Sequence, residues 1–217
     1  MQTKSLDYLP PTLFCDLQKC ELDFLLRDGQ KQSYPKNAVI INEGDQSHSF
    51  YLINSGKVKV FLDDDQGKEI VLSILGPGEY FGEMSLIDDE ARSAGVMVLE
   101  DSHLTVISRL NFRNCLAKYP DIATRVMFGL VRRLRDANKK IGSLALMDVY
   151  GRVANALLQL ASKRDGELIV EGKLTHQDIA NMVGASREMV TRILRDLVAG
   201  GYISIDKRKG IVLNEKL

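Results

Sequence analysis

The sequence predicts an α+β chain in three parts: a strand-rich domain over residues 1–120, a long helix and joint over 121–147, and a small helical domain closed by two strands over 148–217. Three observations predict it. Residues 34–110 carry short apolar or alternating stretches separated by glycine-containing turns, and apolar residues recur at spacings of three and four after Pro120. Residues 174–201 then hold two helix starts separated by a glycine. With 217 residues, 45% hydrophobic and 27% charged, the chain has enough length to bury a core in two modest domains. Cys15, Cys20 and Cys115 form no CxxC pair, so they read as small buried hydrophobes in a reducing compartment, with no metal. No apolar run approaches the ~18 residues of a membrane span, and residues 1–11 lack a signal-peptide core, so a cytoplasmic location is expected.

In the first part, Val39-Ile40-Ile41, Phe50-Tyr51-Leu52-Ile53, Val58-Lys59-Val60-Phe61-Leu62 and Ile70-Val71-Leu72 read as strands, as do 95–99 and 104–107. Turns are expected at Asn42-Glu43-Gly44-Asp45, Asn54-Ser55-Gly56, Asp64-Asp65-Gln66-Gly67 and Gly76-Pro77-Gly78. Many short strands at this spacing suggest an antiparallel barrel, roll or sandwich.

Phe81-Gly82-Glu83-Met84-Ser85-Leu86 interrupts that pattern and is followed, across an acidic loop, by Ala91-Arg92-Ser93-Ala94. Gly82 permits close backbone approach to a ligand, and a brief helical turn after it aims N–H groups at an anion. Glu83 can accept from a ribose 2′-hydroxyl. Arg92 offers a planar fork for a phosphate, and Ser93 a further donor. A salt bridge between Glu83 and Arg92 is the structural alternative.

After Pro120, Met127, Leu130, Leu134, Ala137, Ile141 and Leu144 trace an a/d heptad stripe, suited to a two-stranded dimer seam or to packing on the chain's own domain. Residues 144–148 read as a joint, and Asp148 as the N-cap of a fresh helix.

The stretch 174–201 is the most informative. Thr175-His176-Gln177-Asp178 resembles a capping box, Ala180 is small enough for close helix crossing, Gly184 supplies a left-handed turn and Ser186 caps a second helix. Small residue, turn and apolar plug (Val190) make a helix-turn-helix. On a wheel at ~100° per residue with Arg187 at zero, Thr191, Arg195, Glu188 and Arg192 fall at about 40°, 80°, 100° and 140°, opposite the apolar Val190, Ile193, Leu194 and Leu197. Arg187 and Arg192 can fork onto guanine O6 and N7, and Glu188 can accept from cytosine N4. Thr175, Gln177 and Ser186 suit phosphates. Two strands near 202–205 and 211–213, joined by Lys207-Arg208-Lys209-Gly210, read as a basic wing. The net charge is zero, yet from residue 148 onward eleven Lys and Arg stand against nine Asp and Glu, a balance that permits a DNA partner.

The chain resembles the CRP/FNR superfamily, in particular its cAMP-receptor branch. The likeness runs over about 34–213 and rests on FGEMSLIDDEARSA (81–94), RRLRDANKKIGSLALMD (132–148) and THQDIANMVGASREMVTRIL (175–194). It implies a jelly-roll-like cyclic-nucleotide-binding β-roll, a dimerisation helix and a winged helix-turn-helix, with cAMP as allosteric ligand and double-stranded DNA and RNA polymerase as partners. Gly82 and Glu83 match ribose contacts, Arg92 and Ser93 cyclic-phosphate contacts, and Ser73 and Arg133 further pocket positions. Arg187, Glu188 and Arg192 match a base-reading triplet, which implies palindromic half-sites resembling TGTGA. Asp63-Asp64-Asp65 stands where the family carries an acidic polymerase-contacting loop, and an exposed turn explains it equally.

Three features depart from the pattern. Ala137-Asn138 replaces the Thr-Ser that holds adenine, leaving Asn138 to serve N6 and N7. Met189 replaces a phosphate-touching Thr, and the loop at 162–172 is shorter than the surface loop of familiar activators. Other readings stay open: a regulator answering to cyclic di-GMP or cGMP, or to no ligand, and a redox- or haem-sensing relative using His48 or His103. An enzyme is not expected, because no HExxH, GxSxG or P-loop occurs.

Overall fold

The computed structural model describes residues 29–46, 48–164, 166–170, 174–206 and 210–214. Packing divides them within the long helix. Of these described residues, those up to Leu62 with Val71–Arg135 form one compact unit, and Asp63–Ile70 with those from Asp136 onward form the other.

The first unit is built on an antiparallel sheet of six strands: β1 (Gln30–Tyr34), β2 (Val39–Ile41), β3 (Ser49–Asp63), β4 (Glu69–Leu75), β5 (Tyr80–Phe81) and β6 (Gly95–Ser108). The order is β1-β6-β3-β4, with β2 paired to β6 and β5 to β3. The stretches 50–53 and 58–62, expected as two strands around a turn, run on as the single strand β3. Its register against β6 slips between Ile53 and Ser55, between Ser55 and Lys57, and between Lys57 and Val58, so Asn54-Ser55-Gly56 forms bulges in a continuing strand. Gly56 (φ 89°) approaches β6 so closely that a Cβ would fall 2.6 Å from Ser102 Cα. Likewise 95–99 and 104–107 join as β6. Phe50 sits at the centre, fully buried and stacked on Tyr80 and Phe112 at centroid distances of 5.3 and 4.8 Å.

Between β5 and β6 lies the short α1 (Met84–Ile87), and after β6 comes α2 (Arg109–Lys118), begun by Ser108, whose Oγ accepts the Asn111 N–H. The long α3 (Pro120–Leu146) follows. Ile122 and Val126 bury into the first unit, and Leu130 is half-buried against the same core, turned inward from the stripe in which the spacing put it. Met127, Leu134, Ala137, Ile141 and Leu144 are exposed, and Phe128 (69%) and Val131 (47%) widen the apolar face beyond the heptad positions.

In the second unit, Asp148 accepts the Gly151 N–H at 2.8 Å and so starts α4 (Val149–Leu160). The segment expected as a surface loop contains the hairpin β7 (Ser162–Arg164) and β8 (Glu167–Val170). Then come α5 (His176–Val183), α6 (Arg187–Ala199), β9 (Ile203–Asp206) and β10 (Gly210–Leu213), the four strands ordered β7-β8-β10-β9. Val153, Leu157, Ile179, Ala180, Val190, Leu194 and Leu197 form its core. The acidic run 63–65 makes a turn, because Asp64 Oδ1 accepts the N–H groups of Gln66 (3.0 Å) and Lys68 (2.8 Å).

Cys115 is buried, whereas Cys15, Cys20 and Lys207-Arg208-Lys209 lie outside the described residues. Among the described residues no helix is long and apolar enough to cross a membrane, and no cluster of three His, Cys, Asp or Glu is gathered as for a metal ion.

Candidate ligand cavity and nucleic-acid interface

Gly82, Glu83, Arg92, Ser93 and Arg133 line one open cavity of the first unit. Backbone bonds fix Arg92 there: its N–H donates to Asp45 O at 3.0 Å and its carbonyl accepts from Gly44 at 2.8 Å. The Arg92 side chain, 4% exposed, donates to Gly82 O and Ser49 O, each at 2.7 Å. Burial pulls its pKa below the usual arginine value, because a charged group loses hydration there. Gly82 (φ 84°) makes this possible, since a Cβ would fall 2.7 Å from an Arg92 terminal nitrogen and 2.8 Å from Ser49 O. Ser93 is exposed at the rim, its hydroxyl 3.6 Å from Met84 Sδ.

Glu83, only 2% exposed, is held by Arg133 at 2.6 Å. Arg133 also donates to Tyr80 O and lies over the Tyr80 ring, 4.5 Å from its centroid. Tyr80 is therefore part of the site although no sequence argument singled it out. Burial pushes its phenol up to about 12, so it stays neutral, and it donates to Val126 O at 3.4 Å. Gly129 lets α3 close over it: a Cβ there would fall 2.1 Å from the Tyr80 hydroxyl. An isolated glycine inside a helical stretch was the available signal. Ser73, half-buried on β4, is absent from the cavity lining, and Asn138 is exposed on α3. The geometry thus gathers five of the seven expected ligand residues.

In the second unit the helix-turn-helix forms as its caps require. Thr175 and Asp178 complete a capping box at α5, Gly184 (φ 64°) ends that helix, and Ser186 Oγ accepts the Met189 N–H at 3.3 Å to begin α6. Val190, Ile193, Leu194 and Leu197 are buried, while Arg187, Glu188, Arg192 and Arg195 are exposed and unpaired. An aligned set of unengaged hydrogen-bonding groups on one helix can meet base edges in a major groove.

Two expected contacts are already occupied within the unit. Thr191 Oγ1 donates to Arg187 O and lies 2.8 Å from His176 Nδ1, which ties α6 to α5. Gln177 donates to Asn181 Oδ1 at 2.7 Å. His176 stood beside the capping box without a local signal for this role.

Comparison with known proteins agrees with both halves. A family model described as cyclic nucleotide-binding domain matches residues 31–119, and one described as Crp-like helix-turn-helix domain matches 151–216. The chain is 35% identical over 208 residues to the cyclic AMP receptor protein of Thermus thermophilus, covering 94% of this chain and 95% of that one. It is 36% identical over 187 residues to the cAMP-activated global transcriptional regulator CRP of Salmonella typhimurium, covering 84% and 89%. Among solved structures, the c-di-GMP responsive global regulator CLP of Xanthomonas campestris superimposes with a TM-score of 0.80 at 26% identity, covering 91% and 100%. Cavity, helix-turn-helix and these likenesses together identify the chain as a member of the CRP/FNR family of cyclic-nucleotide-binding transcription regulators.

Proposed function

We propose that the protein is a homodimeric, cytoplasmic regulator whose binding to a palindromic DNA site is switched by cAMP. The observation that carries the ligand half is the buried Arg92 fork beside Gly82 and Glu83 in one cavity. Two carbonyls fix this guanidinium in the cavity wall, where its positive charge favours an anionic acceptor such as a cyclic phosphate. Ser93 adds a rim donor, and Glu83 with Arg133 suits a ribose hydroxyl. Asn138 is left for the adenine, with Ser73 a peripheral position.

The exposed apolar face of α3, from Met127 through Leu134 to Ile141 and Leu144, suits a second copy of the chain. Two such copies would present two α6 helices to successive major grooves, one turn of about 34 Å apart. Arg187, Glu188 and Arg192 would read bases there, Arg195 and Thr191 would flank them, and Thr175, Gln177 and Ser186 would touch phosphates. RNA polymerase is the expected further partner. The functional division is then 1–120 for ligand, 121–147 for dimer and hinge, and 148–217 for DNA.

A specific observation keeps a second ligand in view, since the c-di-GMP responsive neighbour shares the fold at high similarity. Calorimetric titration of the purified protein with cAMP, cGMP and cyclic di-GMP separates these. Micromolar-range heat is expected from cAMP, and heat from cyclic di-GMP alone would reassign the ligand.

A further inference from the structure

Behind the cavity, a second group of charges grips α1. The last carbonyls of a helix have no partner within it, and two arginines of α2 take them. Arg109 donates to Ser85 O at 2.8 Å. Arg113 donates to Leu86 O through Nε at 3.3 Å and through a terminal nitrogen at 3.2 Å. Both also meet one carboxylate. Arg113 lies 3.1 and 2.9 Å from the two oxygens of Asp89, and Arg109 pairs with Asp89 Oδ1.

Asp89 holds φ 65°, in the left-handed region that residues other than glycine seldom occupy. The backbone N–H of Arg109 donates to His48 O at 2.8 Å, and the neighbouring Ser49 O receives the Arg92 side chain. Ligand fork and clamp therefore stand on consecutive carbonyls of one segment. None of Asp89, Arg109 and Arg113 lines the cavity.

We infer that Asp89, Arg109 and Arg113 are positioning residues for cyclic-nucleotide binding, holding the turn at Ser85 and Leu86 so that Gly82, Glu83 and Arg92 keep their mutual geometry. This rests on the cyclic-nucleotide reading of the cavity. Simple electrostatics gives the opposite sign. Neutralising Asp89 leaves the region more positive, which favours an anionic ligand, whereas loosening the clamp weakens it.

The test is calorimetry with cAMP on the full-length protein. Asp89→Asn is expected to bind about tenfold more weakly than wild type. Arg113→Lys, which keeps the charge and removes the fork, is expected to bind several-fold more weakly while melting close to wild type. Asp89→Gly relaxes the backbone but supplies no carboxylate, so it should bind as weakly as Asp89→Asn. In the double variant Asp89→Asn/Arg113→Lys, the losses should fall well short of multiplying, because both changes break one clamp. Unchanged or tighter binding in Asp89→Asn overturns the inference, and so does wild-type binding in Asp89→Gly. A wild-type protein that binds no cyclic nucleotide overturns the ligand reading and the clamp with it. Normal wild-type binding with unaltered variants overturns the clamp alone.

Discussion

Arg92 and Arg192 carry the same guanidinium in opposite settings. Arg92 is 4% exposed and donates to two backbone carbonyls, and its neighbour Glu83 is 2% exposed and held by Arg133. Arg192 stands in solvent with Arg187 and Glu188 on the same helix, and none of the three side chains is engaged by the protein. The first arrangement holds charge at a fixed place in a low-dielectric wall, where a small ligand gains from every preset dipole. The second keeps side chains hydrated and adaptable, because a groove supplies its own partners and the backbone charge supplies most of the affinity. One guanidinium is thus built into the structure of its unit, and the other is held by nothing in its own.

The largest expected effect comes from breaking the buried half. Arg92→Ala should weaken cyclic-nucleotide binding by at least about 100-fold, read by calorimetry. It should also lower ligand-free stability by about 1–3 kcal/mol, because two carbonyls lose a donor. Normal ligand binding in this variant would leave Arg92 a purely structural residue. Arg192→Ala sharpens the other side: it should cost about 1–3 kcal/mol on a specific site, little on random DNA, and leave thermal stability unchanged. Fluorescence anisotropy at fixed salt reads the two DNA affinities, and equal losses on both would make Arg192 a phosphate contact.

The smallest effect is in acid. The Arg113 hydrogen bond, with help from Arg109, holds the Asp89 carboxyl below its ordinary value of 3.8. A depressed carboxylate stabilises the folded state fully above the unfolded value and loses that contribution as pH falls through the folded one. Denaturation at stepped pH should therefore show wild type losing more stability than Asp89→Asn below pH 3.8. Parallel curves would mean that this ion pair adds nothing to stability.

The helix-turn-helix was almost wholly legible in the sequence, because its determinants are local. Thr175, Asp178, Gly184 and Ser186 lie within twelve residues and cap or turn the chain by rules that need no distant partner. Five cavity-lining residues were legible in the sequence, but their pairing was not. Glu83 meets Arg133, fifty positions away, and nothing near either announces the other. Asp89 with Arg113 is the same case at twenty-four. Strand boundaries failed for another reason. Asn54-Ser55-Gly56 has turn composition, yet a bulge in a paired strand uses the same residues, and only the facing strand decides between them. The polar β1, Gln30–Tyr34, carried no apolar alternation and was invisible for that reason. Thr191 shows the limit of a helical wheel, which gives the direction of a side chain but not the neighbour already waiting for its hydroxyl.

Gly129 carries a consequence for how this protein can change. Even alanine there would collide with the Tyr80 hydroxyl, so either the helix or the ring on which Arg133 rests would have to move. Sequence drift at that position would then disturb the seat of the Glu83–Arg133 pair without altering a single cavity-lining side chain. An alanine scan confined to cavity-lining side chains would miss it entirely.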